Sequence, residues 1–341
     1  MTTILVTGGA GYIGSHTCKA LHRSGYLPVT YDNLSRGNVE AVQWGPLEIG
    51  DLADRARLRE VMVRHRPAAV VHFAALAYVG ESNENPAAYY GNNVGGTAAL
   101  LEVMREMGVR HIVFSSTCAI YGTPKTVPIS EQCPEAPINP YGASKMVCER
   151  MLRECATAFP LTFTALRYFN AAGADPDGEI GECHVPETHA IPLLLDAAAG
   201  AAHGFTIFGD DYPTPDGTCV RDYVHVTDLA AAHFAALRAL TDGAASAALN
   251  LGTGRGWSVR EVVDSMRRIT NRDLTVHAGP RRPGDPPVLV ADAARARQKL
   301  GWRPQHSDLE TLVTHAWAWR LGNGRKWKRM IDLDRRQSHH T

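Results

Sequence analysis

Short runs of β-branched residues alternate with segments of helical periodicity along the first half of the chain. The runs predict five strands: Thr3–Val6, Pro28–Tyr31, Ala69–Phe73, Ile112–Ser115 and Leu161–Arg167. The segments between them predict four helices: Gly14–Ser24, Arg55–His65, Val94–Met107 and Ala143–Phe159. The third run opens with uninterrupted apolar residues, which is typical of a strand buried on both faces. The alternation predicts an α/β fold, a Rossmann-like doubly wound parallel sheet.

The character of the sequence changes near residue 175. Three later segments are rich in Gly, Pro and Asp and predict long loops: Ala174–His184, Asp210–Gly217 and Gly279–Pro287. Long ordered loops in compact domains are usually functional. We therefore predict a first domain over residues 1–175 and a smaller C-terminal α/β domain over residues 176–341. Segments near residues 222–253 are expected to pack back on the first domain.

Charge and cysteine usage narrow the class of protein. The 35 basic residues balance the 35 acidic ones, which argues against general nucleic-acid binding. Seven scattered cysteines without a C-x-x-C pair are typical of reduced thiols. The 15 histidines show neither H-E-x-x-H nor another paired ligand spacing, so no metal site is predicted. With no signal peptide and no apolar run long enough to span a bilayer, we expect a cytoplasmic protein without a membrane partner.

A glycine pattern follows the first predicted strand directly. Residues Thr7–Gly14 read T-G-G-A-G-Y-I-G, and the last glycine opens a helix. Glycines at this turn allow backbone N–H groups to approach a pyrophosphate at the helix N-terminus. Asp32 ends the second strand, where a carboxylate accepts hydrogen bonds from a ribose and repels a 2′-phosphate. The pattern favours NAD over NADP, with Arg36 as a mild counter-signal; a structural turn is the competing interpretation.

Tyr141 and Lys145 form a Y-x-x-x-K pattern on the last predicted helix. Positions i and i+4 share one helix face, so both side chains can point into one cleft. Tyrosine, with a pKa of about 10, is a poor base at neutral pH unless nearby cations lower that value. We expect Lys145 and a nicotinamide ring to do so. The pattern is common by chance, and an ordinary surface pair is the alternative.

Thr117 ends the strand that precedes this helix. Ligands of open parallel sheets bind beyond the carboxyl ends of the strands, so Thr117 should meet Tyr141 at the cleft. A hydroxyl there can donate to a substrate oxygen or relay its proton to Tyr141. Chance rarely supplies the glycines, Asp32, Thr117 and Y-x-x-x-K in this order.

These motifs resemble those of the extended short-chain dehydrogenases/reductases, and among them the UDP-galactose 4-epimerases. The resemblance extends to about residue 319 and includes these further stretches: His72–Ala75, Val79–Ser82, Asn92–Val94, Arg167–Asn170, Asp211–Thr214, Asp216–Thr218, Val220–Tyr223, Arg282 and Gly284–Asp285. These later motifs are more specific than the glycines.

The resemblance implies an enzyme that retains NAD and inverts C4 of a UDP-sugar through a transient 4-keto sugar. Tyr141 would take the proton of the sugar 4-hydroxyl, Thr117 would assist, and Lys145 would hold the nicotinamide ribose. The implied NAD-binding residues of the first domain are Gly8, Gly11, Tyr12, Ile13, Gly14, Asp32, Asn33, Asp51, Leu52, Phe73, Ala74, Ala75, Asn92, Tyr141, Lys145 and Phe169. A homodimer built on helices Val94–Met107 and Ala143–Phe159 is also implied, although their apolar stripes fit a monomer core equally.

The same resemblance implies a UDP-sugar site in the second domain. Arg221 and Arg282 match diphosphate-binding arginines, for which an ion pair with Asp222 or Asp285 is the structural alternative. Phe208 would flank the uracil. The implied substrate contacts are Thr117, Tyr141, Asn170, His189, Thr206, Phe208, Arg221, Arg282, Asp285 and Leu289.

Departures from the family pattern leave the identity of the substrate sugar undecided. Ala77 replaces a lysine near the nicotinamide ribose, and Val185–His189 replaces an asparagine-bearing stretch, so a diphosphate contact from His189 is uncertain. Leu289 occupies a gatekeeper position and is intermediate in size, which does not decide between UDP-glucose/UDP-galactose and UDP-GlcNAc. The stretches Ser115–Gly122 and Pro137–Tyr141 also resemble UDP-xylose/UDP-arabinose 4-epimerases, so these sugars are a further alternative. A dehydratase is disfavoured because Cys118-Ala119 replaces the expected Asp-Glu. An NAD-sensing regulator and a plain dehydrogenase remain as further alternatives.

Overall fold

The strands and helices follow the predicted alternation closely. The computed structural model describes residues 1–282, 284–324 and 327. Its strands in chain order are β1 (Thr3–Thr7), β2 (Leu27–Asp32), β3 (Leu47–Ile49), β4 (Ala69–His72), β5 (His111–Thr117), β6 (Thr162–Tyr168), β7 (Asn170–Ala172), β8 (Phe205–Phe208), β9 (Val220–Arg221), β10 (Tyr223–His225), β11 (Ala247–Leu251), β12 (Trp257–Ser258), β13 (Val276–Gly279) and β14 (Val288–Leu289).

The helices separate these strands. The α-helices are α1 (Tyr12–Arg23), α2 (Arg55–His65), α3 (Val79–Glu84), α4 (Pro86–Tyr89), α5 (Gly96–Met107), α6 (Pro140–Ala158), α7 (Ala190–Ala198), α8 (Val226–Thr241), α9 (Val259–Thr270), α10 (Ala294–Leu300) and α11 (Leu309–Leu321). Short 3-10 helices occupy Val39–Ala41 and Cys118–Tyr121, and a π-helical segment, Tyr90–Gly95, precedes α5. No helix among the described residues is long and apolar enough to cross a membrane.

Seven strands form one sheet in the order β3-β2-β1-β4-β5-β6-β11, and every neighbouring pair is parallel. Alternate residues of each strand supply the two faces: Ile4 and Val6 pack with α1 and α8, whereas Leu5 packs with α2, α5 and α6. A sheet buried on both faces explains the uninterrupted apolar runs. The predicted Rossmann-like doubly wound fold is confirmed.

Helix α6 begins three residues before the predicted start. The Asn139 side chain accepts a hydrogen bond from the Gly142 backbone N–H at 2.8 Å, and Pro140 occupies the first helical position. Such an N-cap followed by proline stabilises a helix start. Tyr141 therefore lies in the first turn of α6, beside the end of β5, and Lys145 lies one turn further into the protein.

The C-terminal half of the chain has a core of its own and also contributes to the sheet. Helices α7, α9 and α11 pack with β8 around Leu194, Val262 and Leu312. Strands β12, β9 and β14 form a small sheet, and β13 pairs with β8. Strand β11 joins the large sheet beside β6, and α8 packs against α1. The division into residues 1–175 and 176–341 stays a prediction.

Candidate active site

The turn between β1 and α1 is built for close backbone approach. Gly8 has a φ of +72°, which L side chains rarely adopt, and its N–H donates to the Tyr31 carbonyl at 2.9 Å. A Cβ on Gly8 would lie 2.5 Å from the Ala74 nitrogen. The Gly11 N–H closes the turn by donating to the Gly8 carbonyl at 3.1 Å. The turn therefore presents bare backbone at the N-terminus of α1, next to the ends of β1 and β4.

Gly14→Ala is expected to lower NAD affinity by about 10- to 100-fold. The new Cβ would lie 2.2 Å from the Gly8 carbonyl oxygen and 2.9 Å from the Gly9 Cα, so α1 must shift away from the turn. Overpacking of this kind costs about 1–3 kcal/mol, and every 1.4 kcal/mol is roughly tenfold in affinity. NAD titration by calorimetry measures the change. Gly80→Ala, where a Cβ meets nothing within 4 Å, is the matched control, and equal losses in both variants would contradict the prediction.

Asp32 closes the other side of the turn. Its carboxylate accepts hydrogen bonds from the backbone N–H groups of Ala10 at 3.1 Å and Leu34 at 2.8 Å. Burial raises the pKa of Asp32, and these two hydrogen bonds oppose the shift. Gly37 passes so close that a Cβ there would lie 3.0 Å from the carboxylate. Asp32 thus holds the glycine turn and keeps lone pairs for the hydroxyls of a ribose.

Arg36, the counter-signal for NADP, is engaged by protein groups. Its guanidinium forms an ion pair with Glu81 at 2.7 Å and lies over the Tyr78 ring at 5.2 Å. A guanidinium that already pairs with a carboxylate offers less charge to a 2′-phosphate. The arrangement favours NAD further.

Other predicted cofactor residues line the ends of β2 and β3. The Asn33 amide donates to the Asp51 carboxylate at 2.7 Å, and the Tyr31 hydroxyl donates to the Asp51 carbonyl at 2.8 Å. Leu52 is buried and would touch a Cβ on Gly96 at 3.1 Å. Neighbouring strand ends therefore bring Asn33, Asp51 and Leu52 together.

The end of β4 is tied to the glycine turn. The backbone N–H groups of Phe73 and Ala74 both donate to the Thr7 carbonyl, at 2.9 and 3.1 Å, and Ala75 follows at a partly buried position. The Phe73 ring packs on the His233 ring with centroids 4.6 Å apart. These contacts place the predicted cofactor stretch His72–Ala75 directly beside Gly8.

The predicted residue Asn92 forms a hydrogen bond with Asn93, which the sequence analysis named only as part of the stretch Asn92–Val94. Its amide donates to the Asn93 side chain at 2.9 Å. Buried Asn93 in turn accepts from the Leu76 N–H at 2.8 Å and donates to the Ser144 hydroxyl at 3.0 Å. Asn93 thereby fastens the loop after β4 to α6, within a π-helical segment of the kind frequently found at functional sites. No spacing signal distinguishes Asn92 from Asn93.

Three further predicted cofactor residues have mainly structural contacts. The Tyr12 hydroxyl donates to the Gly173 carbonyl at 2.6 Å, which ties α1 to the chain after β7. Ile13 is partly buried against the core on the α1 face of the sheet. Phe169 is buried between β6 and β7 and packs with Cys118 and Tyr121.

Thr117 and Tyr141 meet at the end of β5, as predicted from the strand order. A hydrogen bond with the Thr117 side chain lowers the pKa of Tyr141, but burial is the larger effect and raises that pKa to about 12. The protein groups around the phenol therefore do not produce the lowered pKa expected from the sequence. The reason is the burial of the phenol. The Lys145 ammonium donates to the Ser115 carbonyl at 2.9 Å and lies 4.8 Å from the Phe114 ring centre.

Lys145→Met is expected to raise the free energy of unfolding at pH 7 by about 1–3 kcal/mol. Burial lowers the pKa of Lys145 from 10.5 to about 8. Between these two pKa values the unfolded chain holds a proton at Lys145 that the folded chain has lost. The free energy of unfolding of the unmodified chain therefore rises with pH over this range, and the cost of burying the charge is largest below pH 8. The gain should shrink toward pH 10.5, as urea unfolding at several pH values will measure. Exposed Lys125→Met is the control; a gain independent of pH would refute this account.

A buried polar network connects the end of β5 to α6 and β6. The Ser116 hydroxyl donates to Glu149 at 2.6 Å, and Arg167 donates to the same carboxylate at 2.9 and 2.6 Å. The Arg167 guanidinium also donates to the Tyr121 hydroxyl at 2.9 Å. Sequence reasoning missed Glu149, although it follows Lys145 by one helical turn. The network joins α6, β5 and β6 directly behind Thr117.

On the predicted substrate side, Arg221 and Asp285 are paired with each other. Arg221 is buried, and its pKa is raised by Asp285 although burial acts in the opposite direction. Asp222 does not pair with Arg221; its carboxylate accepts backbone hydrogen bonds from Thr253 and Gly254.

The Cys118 thiol shows where Arg221 lies. Burial raises the pKa of this thiol to about 12, and nearby Arg221 opposes this shift. Arg221 therefore lies close to the end of β5.

Arg282 and Phe208 form a second pair. The guanidinium lies over the aromatic ring, 4.2 Å from its centre, and the Phe208 side chain is 37% exposed. An exposed ring beneath a cation is suited to stacking with a planar, anionic nucleotide.

Three other predicted substrate residues lie on β7, β8 and β14. Thr206 lies two residues before Phe208 on β8, and Leu289 on β14 is in register with Arg221. Asn170 begins β7 and donates its backbone N–H to the Asp222 carbonyl at 3.0 Å.

His189 lies in a cluster that the sequence analysis did not foresee. Glu182, His184, Glu187 and His189 bring their side-chain ligand atoms within 4.8 Å of one another. The two carboxylates outweigh burial and raise the pKa of His184 to about 9 and that of His189 to about 10, while the pKa of Glu187 is lowered. The spacing E-x-H-x-x-E-x-H was the signal available in the sequence.

The fold, the glycine turn and the Tyr141/Thr117 pair together indicate an enzyme that uses a nucleotide cofactor. The chain belongs to the NAD dependent epimerase/dehydratase family, whose model matches residues 4–252. This membership confirms the resemblance inferred from the motifs and the dependence on NAD.

Among its relatives, the UDP-glucose 4-epimerase of Rhizobium meliloti (strain 1021) is 55% identical over 316 residues, which is 93% of this chain and 96% of the relative. Two solved structures are also similar. The Brucella ovis UDP-glucose 4-epimerase in complex with NAD is 54% identical, covers 93% of this chain and 98% of its own, and has a TM-score of 0.91. The Stenotrophomonas maltophila UDP-glucose-4-epimerase with bound NAD and formylated UDP-arabinopyranose is 40% identical, covers 96% and 100%, and has a TM-score of 0.92.

Proposed function

We propose that this protein is an NAD-dependent 4-epimerase that interconverts UDP-glucose and UDP-galactose. The observation that carries the proposal is the meeting of Thr117 and Tyr141 at the carboxyl end of β5, with Lys145 one helical turn away. Epimerase relatives at 55% and 54% identity, matched along nearly their whole length, support the same reaction.

The residues around the glycine turn fit NAD. Gly8 and Gly14 leave no room for a Cβ, which lets α1 begin directly against the turn. The N-terminus of α1 has no side-chain cap, so its first N–H groups suit a pyrophosphate. Asp32 would accept hydrogen bonds from the adenosine ribose, and Asn33, Asp51 and Leu52 would line the adenine side. When bound, NAD supplies reversible oxidation and reduction at the sugar C4, so that no net redox change occurs.

The chain's own catalytic groups would move one proton. Tyr141 would accept the proton of the sugar 4-hydroxyl and return it after the sugar has presented its other face. Thr117, which lies close enough to lower the pKa of Tyr141, would bridge the phenol and the sugar oxygen. Lys145 would hold the nicotinamide ribose and supply positive charge beside the phenol. Because burial raises the pKa of Tyr141 to about 12, the proton transfer needs the positive charge of the complete site.

The second half of the chain would bind the nucleotide part of the substrate. Arg221 and Arg282 suit a diphosphate, and Phe208 would stack on the uracil. Asp285 would exchange its contact with Arg221 for the uridine ribose. The remaining substrate contacts that we propose are Thr117, Tyr141, Asn170, His189, Thr206 and Leu289.

Incubation of the purified protein with separate UDP-sugars, without added NAD, tests the proposal. We expect UDP-glucose to yield UDP-galactose, detected by chromatography, and we expect slower or no conversion of UDP-GlcNAc and UDP-xylose. Preferred conversion of UDP-GlcNAc or of UDP-xylose would replace the glucose assignment by the corresponding sugar. Failure to form any 4-epimer, with or without NAD, would reject the epimerase function.

We also infer a homodimer that forms through α5 and α6 and acts in the cytoplasm. The two helices pack side by side, and Met107, Met151 and Cys155 along them are only partly buried. No disulfide joins the cysteines of the described residues, which suits a reducing compartment. Light scattering coupled to gel filtration tests the dimer; a monomer mass at micromolar concentration would overturn it.

A further inference from the structure

The segment between β7 and α7 concentrates four potential metal ligands. Glu182, His184, Glu187 and His189 follow one another within eight residues, and the segment ends at the N-cap of α7. One ligand atom of each residue lies within 4.8 Å of the ligand atoms of the other three. The carboxylates of Glu182 and Glu187 are almost fully buried, with side-chain exposures of 7% and 8%.

The separations between these atoms suit a tetrahedral ion. The Nδ1 atom of His184 lies 3.2 Å from a Glu182 oxygen and 3.7 Å from a Glu187 oxygen. The Nδ1 atom of His189 lies 2.8 Å from the same Glu182 oxygen and 3.1 Å from the other Glu187 oxygen, Oε1, with which it forms a hydrogen bond. Zinc bonds of about 2.0–2.1 Å in a tetrahedron place neighbouring ligand atoms about 3.3 Å apart. The observed separations bracket that value.

An ion-pair cluster without a metal explains the geometry less well. The Nδ1 atom of His184 is buried and has no hydrogen-bond partner, because neither carboxylate is placed along the direction of an N–H bond. A buried donor left without a hydrogen bond is costly. A metal ion removes that cost, since it takes up the nitrogen lone pair and needs no proton there.

The surroundings hold the four ligands in place. The Glu187 carboxylate accepts hydrogen bonds from the Thr188 and His189 backbone N–H groups, at 2.7 and 2.8 Å. The Tyr78 ring contacts both imidazoles, with centroids 5.9 Å from His184 and 6.2 Å from His189. Outer contacts of this kind orient metal ligands.

We propose that Glu182, His184, Glu187 and His189 bind a zinc-class divalent ion that fixes the segment before α7. Imidazole together with carboxylate favours zinc-class ions over magnesium and calcium. Four protein ligands leave no open position, which makes the site structural rather than catalytic. The site does not depend on the proposed epimerase activity. It is compatible with the diphosphate contact proposed for His189, because a metal on Nδ1 leaves the Nε2–H of the same ring free to donate to phosphate.

Metal binding by the full chain, without an affinity tag, tests the site. After chelation and dialysis, the protein is expected to take up one zinc ion per chain, measured by mass spectrometry of the element, and to melt at a higher temperature with zinc. His184→Gln should weaken zinc binding by at least about 100-fold, because even the loss of an outer contact costs 10- to 100-fold. Exposed His203→Gln should bind like the unmodified chain.

Cobalt binding gives an answer that does not depend on any variant. Co²⁺ at this site is expected to show the strong visible absorption of a tetrahedral complex, which added zinc abolishes. Weak absorption of an octahedral complex, or no uptake, would overturn the proposal. Equal zinc binding by the unmodified chain and a folded His184→Gln would also overturn it, and would direct attention to the neighbouring rings of His225, His306 and His315.

Discussion

Tyr141→Phe is expected to reduce the rate of UDP-glucose epimerisation on the order of 10³-fold, within the range that general acid–base groups contribute. The change removes one hydroxyl and keeps the ring that packs edge-to-face on Tyr89, with centroids 6.5 Å apart. Binding of NAD and of UDP should change little, because neither depends on the phenolic proton. Turnover is followed by chromatography, and NAD content by release on denaturation.

The matched control is Tyr26→Phe, which removes a hydroxyl from a ring packed on Phe234, 5.8 Å away and outside the site. It should retain full activity. A Tyr141→Phe protein that folds, binds NAD and still epimerises at more than a tenth of the normal rate would assign the proton transfer to another group.

Arg167→Met is expected to lower the free energy of unfolding by about 3–5 kcal/mol, since it leaves the buried Glu149 carboxylate with only the partly exposed Arg153 guanidinium, 3.4 Å away, as a cation. Glu149 is fully buried, and the guanidinium that faces it is 2% exposed. Released from this network, Ser116 should no longer hold Thr117 in place, so kcat should fall as well. Urea unfolding followed by circular dichroism measures the first effect, and epimerisation assays measure the second.

The double variant Arg167→Met/Glu149→Met provides the control. Removing both charges leaves no buried ion unpaired, because the partly exposed Arg153 and Glu135 still pair with each other at 3.3 Å, so the double variant should be more stable than Arg167→Met alone. If the double variant is instead the less stable of the two, the loss in Arg167→Met reflects packing rather than a stranded charge.

Much of the first half of the fold could be predicted, because periodicity there is strong. Strands buried on both faces give uninterrupted apolar runs, and the five predicted strands correspond to β1, β2, β4, β5 and β6. The two-residue strands β9, β12 and β14 were not predicted, since so short a segment has no periodicity. The early start of α6 was also missed, because its Asn139-Pro140 cap lay among residues that read as a loop.

The positions of candidate site residues were predictable where a side chain lies at the end of its own strand, as at Asp32 and Thr117. The site was not predictable where roles depend on contacts across the fold. Lys145 matches a motif, yet only the structure shows that its ammonium donates to the Ser115 carbonyl. A solvated side chain or an ion pair with Asp222 or Asp285 was the structural alternative for the two arginines, and spacing alone does not show that Arg221 pairs with Asp285.

The return of the chain to the large sheet has a consequence for how the protein can be divided. Strand β11 hydrogen-bonds along β6, whose residues Thr164–Tyr168 it covers. A fragment that ended at residue 175 would expose β6 as a flat, apolar sheet edge and would uncover the α1 face that α8 protects. Such edges template association between chains. Residues 1–175 are therefore not expected to behave as an independent domain. Fusions or truncations designed at that boundary should aggregate unless they also include residues 226–251.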